Sequence, residues 1–275
     1  MRLGEFEIDL LSDGTFALDG GQMFGVVPKV LWQKKLPADE RNRVRLGLNC
    51  LLIRAGRQNI LVETGIGDKF DENFVDIFGI DHTTSLPTKL KQRGLEPGDI
   101  DIVINTHLHF DHCGWNTRRD GGNLIPTFPR ARYFIQRGEW EHACHPTERD
   151  KASYVKDFFL AAEKQTEFLD GDSEIVPGVR VEVMPGHTRN MQCVRVESGG
   201  RQLYFISDLV PTAAHLRFPW IMSFDLYPME TLANKQKVLP LLAEQEAIVV
   251  FAHDSKTPWV RMIESDGKIS TVPVE

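Results

Sequence analysis

Four largely apolar runs in this chain each end within a few residues of a histidine or an aspartate. Ile100 to Ile104 leads into His107, His109, Asp111 and His112. Val179 to Met184 leads into His187, Gln202 to Ile206 into Asp208, and Ile248 to Ala252 into His253. Short apolar runs bounded by turn residues read as buried strands. A fold that buries them delivers their polar ends to loops at a sheet rim, where function usually sits. One such coincidence carries little weight. Four in one chain ask for a single site assembled from both halves of the sequence.

The densest part is Asn105 to Trp115, NTHLHFDHCGW, where three of nine histidines and an aspartate fall within His107 to His112. In extended backbone, positions i and i+2 point to the same side, so His107 and His109 can grip one ion together. The chain must then turn before Asp111 and His112 reach a neighbouring position. Neutral imidazoles with carboxylates suit zinc, and also manganese, iron or cobalt. Five histidines and two aspartates exceed the needs of one tetrahedral ion with an open position. They suit two ions a few ångströms apart that share a carboxylate.

The rest of the chain supplies the layers. Phe6 to Leu10, Thr15 to Leu18, Val44 to Arg54 and Asn59 to Val62 read as strands, with turns at Ser12-Asp13-Gly14 and Ala55 to Gln58. A helix is expected from Ser85 to Gly94, capped by Ser85 or Thr84. Arg132 to Ile135 reads as a strand and Lys151 to Gln165 as an amphipathic helix. Met229 to Leu242 reads as a helix that Pro240 ends or kinks near Leu239. Strands in two series, each followed by helices, predict two packed sheets with helices outside, as one layered α/β domain over residues 1–275.

Composition narrows the partners. A formal charge of −7 argues against nucleic acid, whose binding needs clustered Lys and Arg. No apolar run approaches the roughly 18–20 residues of a membrane helix. The opening MRLGEFEIDLL is acidic where a signal peptide is basic, so a cytoplasmic location is expected. The four cysteines form no CxxC pair and read as small buried side chains.

The pattern HxHxDH followed by separated His, Asp and His residues resembles the signature of the metallo-β-lactamase superfamily. The resemblance implies an αββα sandwich, two mixed β-sheets flanked by helices, with metals at one rim. Carried over by motif, His107, His109 and His187 hold a first metal; Asp111, His112 and His253 hold a second; Asp208 bridges them. Asp208 in place of a cysteine separates the chain from the best-known lactam-resistance enzymes, and His109 separates it from flavodiiron proteins. HLHFDH, the pair His253-Asp254, and Met23-Phe24-Gly25 resemble the branch of N-acyl-homoserine lactonases and organophosphate or ester hydrolases. Two positions depart from that branch. Pro211 stands where its lactonases usually carry a tyrosine, and Glu63 in LVETG stands where the superfamily has an aspartate that orients a ligand histidine.

The resemblance implies a dinuclear metal-dependent hydrolase, holding two zinc ions or manganese, iron or cobalt, acting on a small, fairly apolar ester or lactone. N-acyl-homoserine lactones, and hence quorum quenching, are the leading instance. Asp111 and Asp208 are the catalytic carboxylates, Asp111 as the group that accepts or returns a proton. Alternatives are a phosphotriester or aryl ester hydrolase, and a mononuclear-iron dioxygenase acting on a persulfide. The relatives also imply a homodimer. Met23, Phe24 and Trp115 are pocket candidates, and His215 is a candidate helper replacing the missing tyrosine. His82, His142 and His145 read as surface or hydrogen-bonded histidines, and Asp254 as a ligand orienter or a turn cap. Specificity is expected in the loops Asp19 to Lys35 and Val210 to Pro228.

Overall fold

Phe6–Asp19 and Arg43–Ala55 are the longest strands, rich in Leu, Ile, Val and Phe, and pair antiparallel from Phe6↔Ala55 to Asp19↔Arg43. They anchor a seven-stranded sheet in the order Arg2–Leu3, Phe6–Asp19, Arg43–Ala55, Gln58–Val62, Ile102–Ile104, Arg132–Gln136, Thr166–Leu169. Pairing is antiparallel as far as Gln58–Val62 and parallel beyond it. A second seven-stranded sheet runs Ser173–Val176, Val179–Val183, Gln192–Ser198, Arg201–Phe205, Ile248–Val250, Trp259–Ser265, Lys268–Pro273. It is antiparallel except where Arg201–Phe205 meets Ile248–Val250. The structure is a computed structural model and describes residues 1–265 and 268–274.

The sheets face each other across one apolar layer. Ile8, Leu51, Ile53, Ile60, Val62, Ile102 and Ile104 meet Val181, Val194, Val196, Leu203, Phe205 and Val250, all buried. Each such side chain contributes about 1.5–3 kcal/mol by leaving water. The outer faces are covered by helices. Leu86 and Leu90 of helix Leu86–Gln92 pack on the first sheet, and Val238, Leu239, Leu242 and Ala243 of helix Pro228–Glu244 on the second. This is the expected αββα sandwich of two mixed sheets. Among the described residues no helix is long and apolar enough to cross a membrane.

Two local expectations are corrected and one is narrowed. Ser12-Asp13-Gly14 is no turn between two strands: one strand runs Phe6–Asp19, with a register shift between Ser12 and Thr15 that swings Asp13 inward. Lys151 to Gln165 is a chain of 3₁₀ turns, not an α-helix. Its carbonyls serve other segments, since Ser153 O accepts from Phe110 N at 2.9 Å and Asp157 O from Thr117 Oγ1 at 2.6 Å. The last helix passes through Pro240 to Glu244. Proline costs about 3 kcal/mol there, but burial of Leu239, Leu242 and Ala243 outweighs it.

Candidate metal centre

Strands that run parallel present their carboxyl ends at one rim, and both sheets do so on the same side. Val62 ends at Glu63, Ile104 opens the loop to His107, Phe205 leads to Asp208, and Val250 leads to His253. The two rims are stitched by backbone bonds, Gln192 N to Thr106 O and Gly47 N to His253 O, each 2.9 Å. All seven expected ligand residues therefore meet.

His107, His109 and His187 each offer an atom within 4.8 Å of the others, and so do Asp111, His112 and His253. His109 Nδ1 lies 3.1 Å from both His107 Nε2 and His187 Nε2. On the other side, His253 Nε2 lies 3.1 Å from His112 Nε2, and both face Asp111 Oδ2 at 3.5 and 3.7 Å. Asp208 sits between the groups. Its Oδ2 is 3.3 Å from His187 Nε2 and 3.5 Å from His112 Nε2, and its Oδ1 is 3.1 Å from His253 Nε2.

These residues fit divalent ions. Ring nitrogens 3.1 Å apart repel wherever neither carries a proton towards the other, and a cation between them removes that repulsion. Tetrahedral zinc with bonds of about 2.0–2.1 Å would place its ligand nitrogens about 3.3 Å apart. Asp208 Oδ1 is buried and accepts no hydrogen bond, an expensive arrangement without a cation. Burial and the neighbouring imidazoles hold His107 and His109 well below the usual histidine range, which keeps them neutral as ligands must be. Burial works against charge on Asp208 too, but His253, His112 and His187 outweigh it and keep the carboxyl well below its usual range.

The opposite nitrogen of four ligand histidines is held. His107 Nδ1 is 3.0 Å from Thr106 Oγ1, His112 Nδ1 is 3.3 Å from Glu63 Oε1, His187 Nδ1 is 3.0 Å from Asp225 Oδ1, and His253 Nδ1 is 2.9 Å from Gly47 O. Such contacts fix ring orientation and raise ligand basicity. Glu63 thus does the work expected of an aspartate, from a backbone position with φ 63. Ser207, beside Asp208, has φ 49 and its Oγ meets Thr106 Oγ1 at 2.7 Å. Strained backbone at two residues flanking one centre is the pattern of a functional site.

Asp225 escaped the sequence reading, because a lone aspartate in an apolar loop looks like a turn residue. It is buried, and its Oδ2 accepts from Thr231 Oγ1 at 2.8 Å. Asp13 escaped it as well. This buried carboxylate accepts from Ile66 N, Gly67 N, Leu86 N and Trp115 Nε1 at 2.6–3.0 Å. It clamps the loop after Glu63, and Gly65 (φ 64) passes so close that a Cβ there would lie 2.4 Å from it. Burial nevertheless pushes its carboxyl up to about 6.

A cavity of about 180 Å³ opens over the centre, floored by His109, Asp111, His187, Asp208 and His253. Met222, Phe224 and Leu226 line one side, the i, i+2, i+4 face of the loop where specificity was expected. Met23 lines it as expected; Phe24, Trp115 and His215 do not. Phe24 is stacked between Trp32 and His215, ring centroids 5.2 and 4.5 Å away, because so large an apolar ring gains more from the core. Trp115 is spent on Asp13. His215 is buried, with Nδ1 2.8 Å from Thr212 Oγ1 and Nε2 2.8 Å from Met23 O, so it supports the pocket wall from behind. Asp254 is a turn cap, accepting from Ala213 N, Lys256 N and Thr257 N.

The model of the metallo-beta-lactamase superfamily matches residues 44–253. The N-acyl homoserine lactonase AiiA of Bacillus thuringiensis subsp. kurstaki is 28% identical over 218 residues, covering 74% of this chain and 80% of that protein. The N-acyl homoserine lactonase AttM of Rhizobium radiobacter is 26% identical over 173 residues, 60% and 62% of the two chains. A probable metal-dependent hydrolase from Staphylococcus aureus superposes with a TM-score of 0.94 at 31% identity, covering 100% of this chain and 99% of that one. AidC, a dizinc quorum-quenching lactonase, shares the fold with a TM-score of 0.82 at 23% identity, covering 100% and 96%. With its ligand residues gathered at one rim of the sandwich, the chain belongs to the metallo-beta-lactamase superfamily and is a metal-dependent hydrolase.

Proposed function

We propose that this protein hydrolyses a small, mostly apolar ester or lactone at a dinuclear metal centre, with N-acyl-homoserine lactones as the leading class. One observation carries the reading: two ligand triads converge on a single carboxylate at the floor of an apolar cavity. His107, His109 and His187 would hold one ion, Asp111, His112 and His253 the other, and Asp208 both. Divalent ions bound there supply Lewis acidity and lower the pKa of water towards about 7. The chain's own residues do the rest. Met23, Met222, Phe224 and Leu226 receive the apolar part and exclude water. Asp111, which faces the cavity, is placed to hold and return a proton. The similarity to the lactonases AiiA and AttM supports the substrate class.

A second reading, hydrolysis of aryl esters or phosphotriesters, draws on Pro211. Among the described residues no tyrosine lines the cavity to assist the oxyanion, which favours less demanding substrates whose leaving group departs readily. Metal analysis of protein purified without added metal, followed by assays on lactones, aryl esters and phosphotriesters, tests both. About two zinc per chain with turnover of one of these classes is the expected result. About one iron per chain with oxidation of a persulfide would overturn it.

A further inference from the structure

Among the described residues the cavity has one Lys or Arg in its wall. This is Arg149, in the segment after helix Arg137–Cys144, which lines the cavity together with His109, Asp111 and Asp208. Its Nη2 donates to Ser223 O at 2.5 Å, and Ser223 N in turn donates to Gln22 O at 2.8 Å. The guanidinium is therefore tethered to the loop that carries Met222 and Phe224, and that loop is bonded in turn to the segment that carries Met23. Among the described residues it pairs with no carboxylate. The adjacent Asp150 is committed elsewhere, with His142 Nε2 at 2.5 Å and Thr147 N and Oγ1 at 2.8 and 2.6 Å. Asp111 and Asp208 face the imidazoles.

A single carbonyl acceptor does not require arginine, since a lysine or glutamine would satisfy Ser223. Arginine adds a planar fork whose remaining N–H groups match a carboxylate. Holding it in place beforehand removes much of the ordering cost of using it. Nor is a cation at this mouth a by-product of a basic chain, since the formal charge is −7.

We propose that Arg149 reads a carboxylate on the substrate, at the end remote from the scissile carbonyl, so that this enzyme's ester or lactone is an acidic amphiphile. The inference rests on the hydrolase reading above and not on its leading class, since an N-acyl-homoserine lactone carries no carboxylate until its ring is opened. The apolar wall takes the chain between the two ends, and Arg149 sets preference through binding, not through the bond cleaved.

The test compares 4-nitrophenyl valerate with mono-4-nitrophenyl glutarate, which differ by a terminal methyl against a carboxylate. Each ester and one water give a carboxylic acid and 4-nitrophenol, followed by absorbance on the metal-loaded protein. The expected wild-type preference for glutarate in kcat/KM is about tenfold, carried in KM and weakened by salt. R149Q should lower that ratio about tenfold, R149K should keep part of it, and R149E should invert it. A wild-type ratio of one, or a ratio that R149Q and R149E leave unmoved, would overturn the proposal and leave Arg149 a strap to Ser223. Calorimetric titration with hexanoate and adipate reads the same contact without turnover. Adipate binding tighter in wild type and not in R149E supports the proposal, and equal binding in both overturns it. Failure to cleave either ester, with the adipate preference intact, counts against the hydrolase reading alone.

Discussion

Removing Asp225 should loosen the metal centre although Asp225 is not among its ligand residues. The carboxylate is buried, with Oδ1 3.0 Å from His187 Nδ1 and Oδ2 accepting from Thr231 Oγ1 at 2.8 Å. In Asp225→Asn the amide oxygen can face the imidazole while the amide nitrogen donates to the threonine hydroxyl, so shape is kept and only charge is lost. A hydrogen bond to a charged partner is worth about 1.5–3 kcal/mol against about 1 for a neutral one. The difference, about 1.4 kcal/mol, is tenfold in affinity. Asp225→Ala removes the contact entirely, frees the ring to rotate, and strands the Thr231 hydroxyl. A loss of about a hundredfold, or 2.7 kcal/mol, is expected. Competition for zinc against a chromophoric chelator measures both variants, with circular dichroism to confirm folding. If folded Asp225→Ala binds zinc within about twofold of wild type while His187→Ala loses an ion, orientation of His187 by Asp225 is refuted.

Substituting His109 or Asp208 by alanine should abolish turnover and lower metal content together; retained activity at full occupancy would refute their assignment as ligands. Asp13→Ala strands three buried backbone N–H donors and the half-buried Trp115 indole N–H, and should cost about 4 kcal/mol, a fall in Tm of about 10 °C by calorimetry. A shift under about 2 °C would show that Asp13 is no clamp. Burial pushes the His215 imidazole down to about 4, below the 6.5 of an unfolded chain. Its neutral form therefore contributes stability that is full above pH 6.5 and lost as pH falls towards 4. Urea unfolding should show wild type losing about 2 kcal/mol relative to His215→Gln between pH 7 and pH 5. A difference that stays constant with pH would contradict that linkage.

The seven ligand-type residues were legible because their signals are local. Residue type, i and i+2 spacing, and position at the end of an apolar run are all written within a few residues of His107, His187, Asp208 and His253. The two-sheet layering was legible for the same reason, since a buried strand declares itself by composition. Asp13 and Asp225 were not, because their partners lie far along the chain. Trp115 is 102 residues from Asp13, and His187 is 38 residues from Asp225. In the sequence alone an aspartate beside a glycine, or within a polar–apolar loop, is indistinguishable from a turn residue.

Proximity to a motif misled where packing had the larger say. Phe24 and Trp115 lie next to site segments, yet one ring stacks into the core and the other serves Asp13. His215 follows Asp208 closely but turns to Met23 O. The residues at the mouth, Arg149 and Met222 among them, come from segments more than 70 positions apart. What the sequence alone determined is therefore the chemistry, because ligand sets are made of residue types. What the tertiary structure decided is which side chains face the cavity, because burial energy is settled by neighbours that only folding brings together.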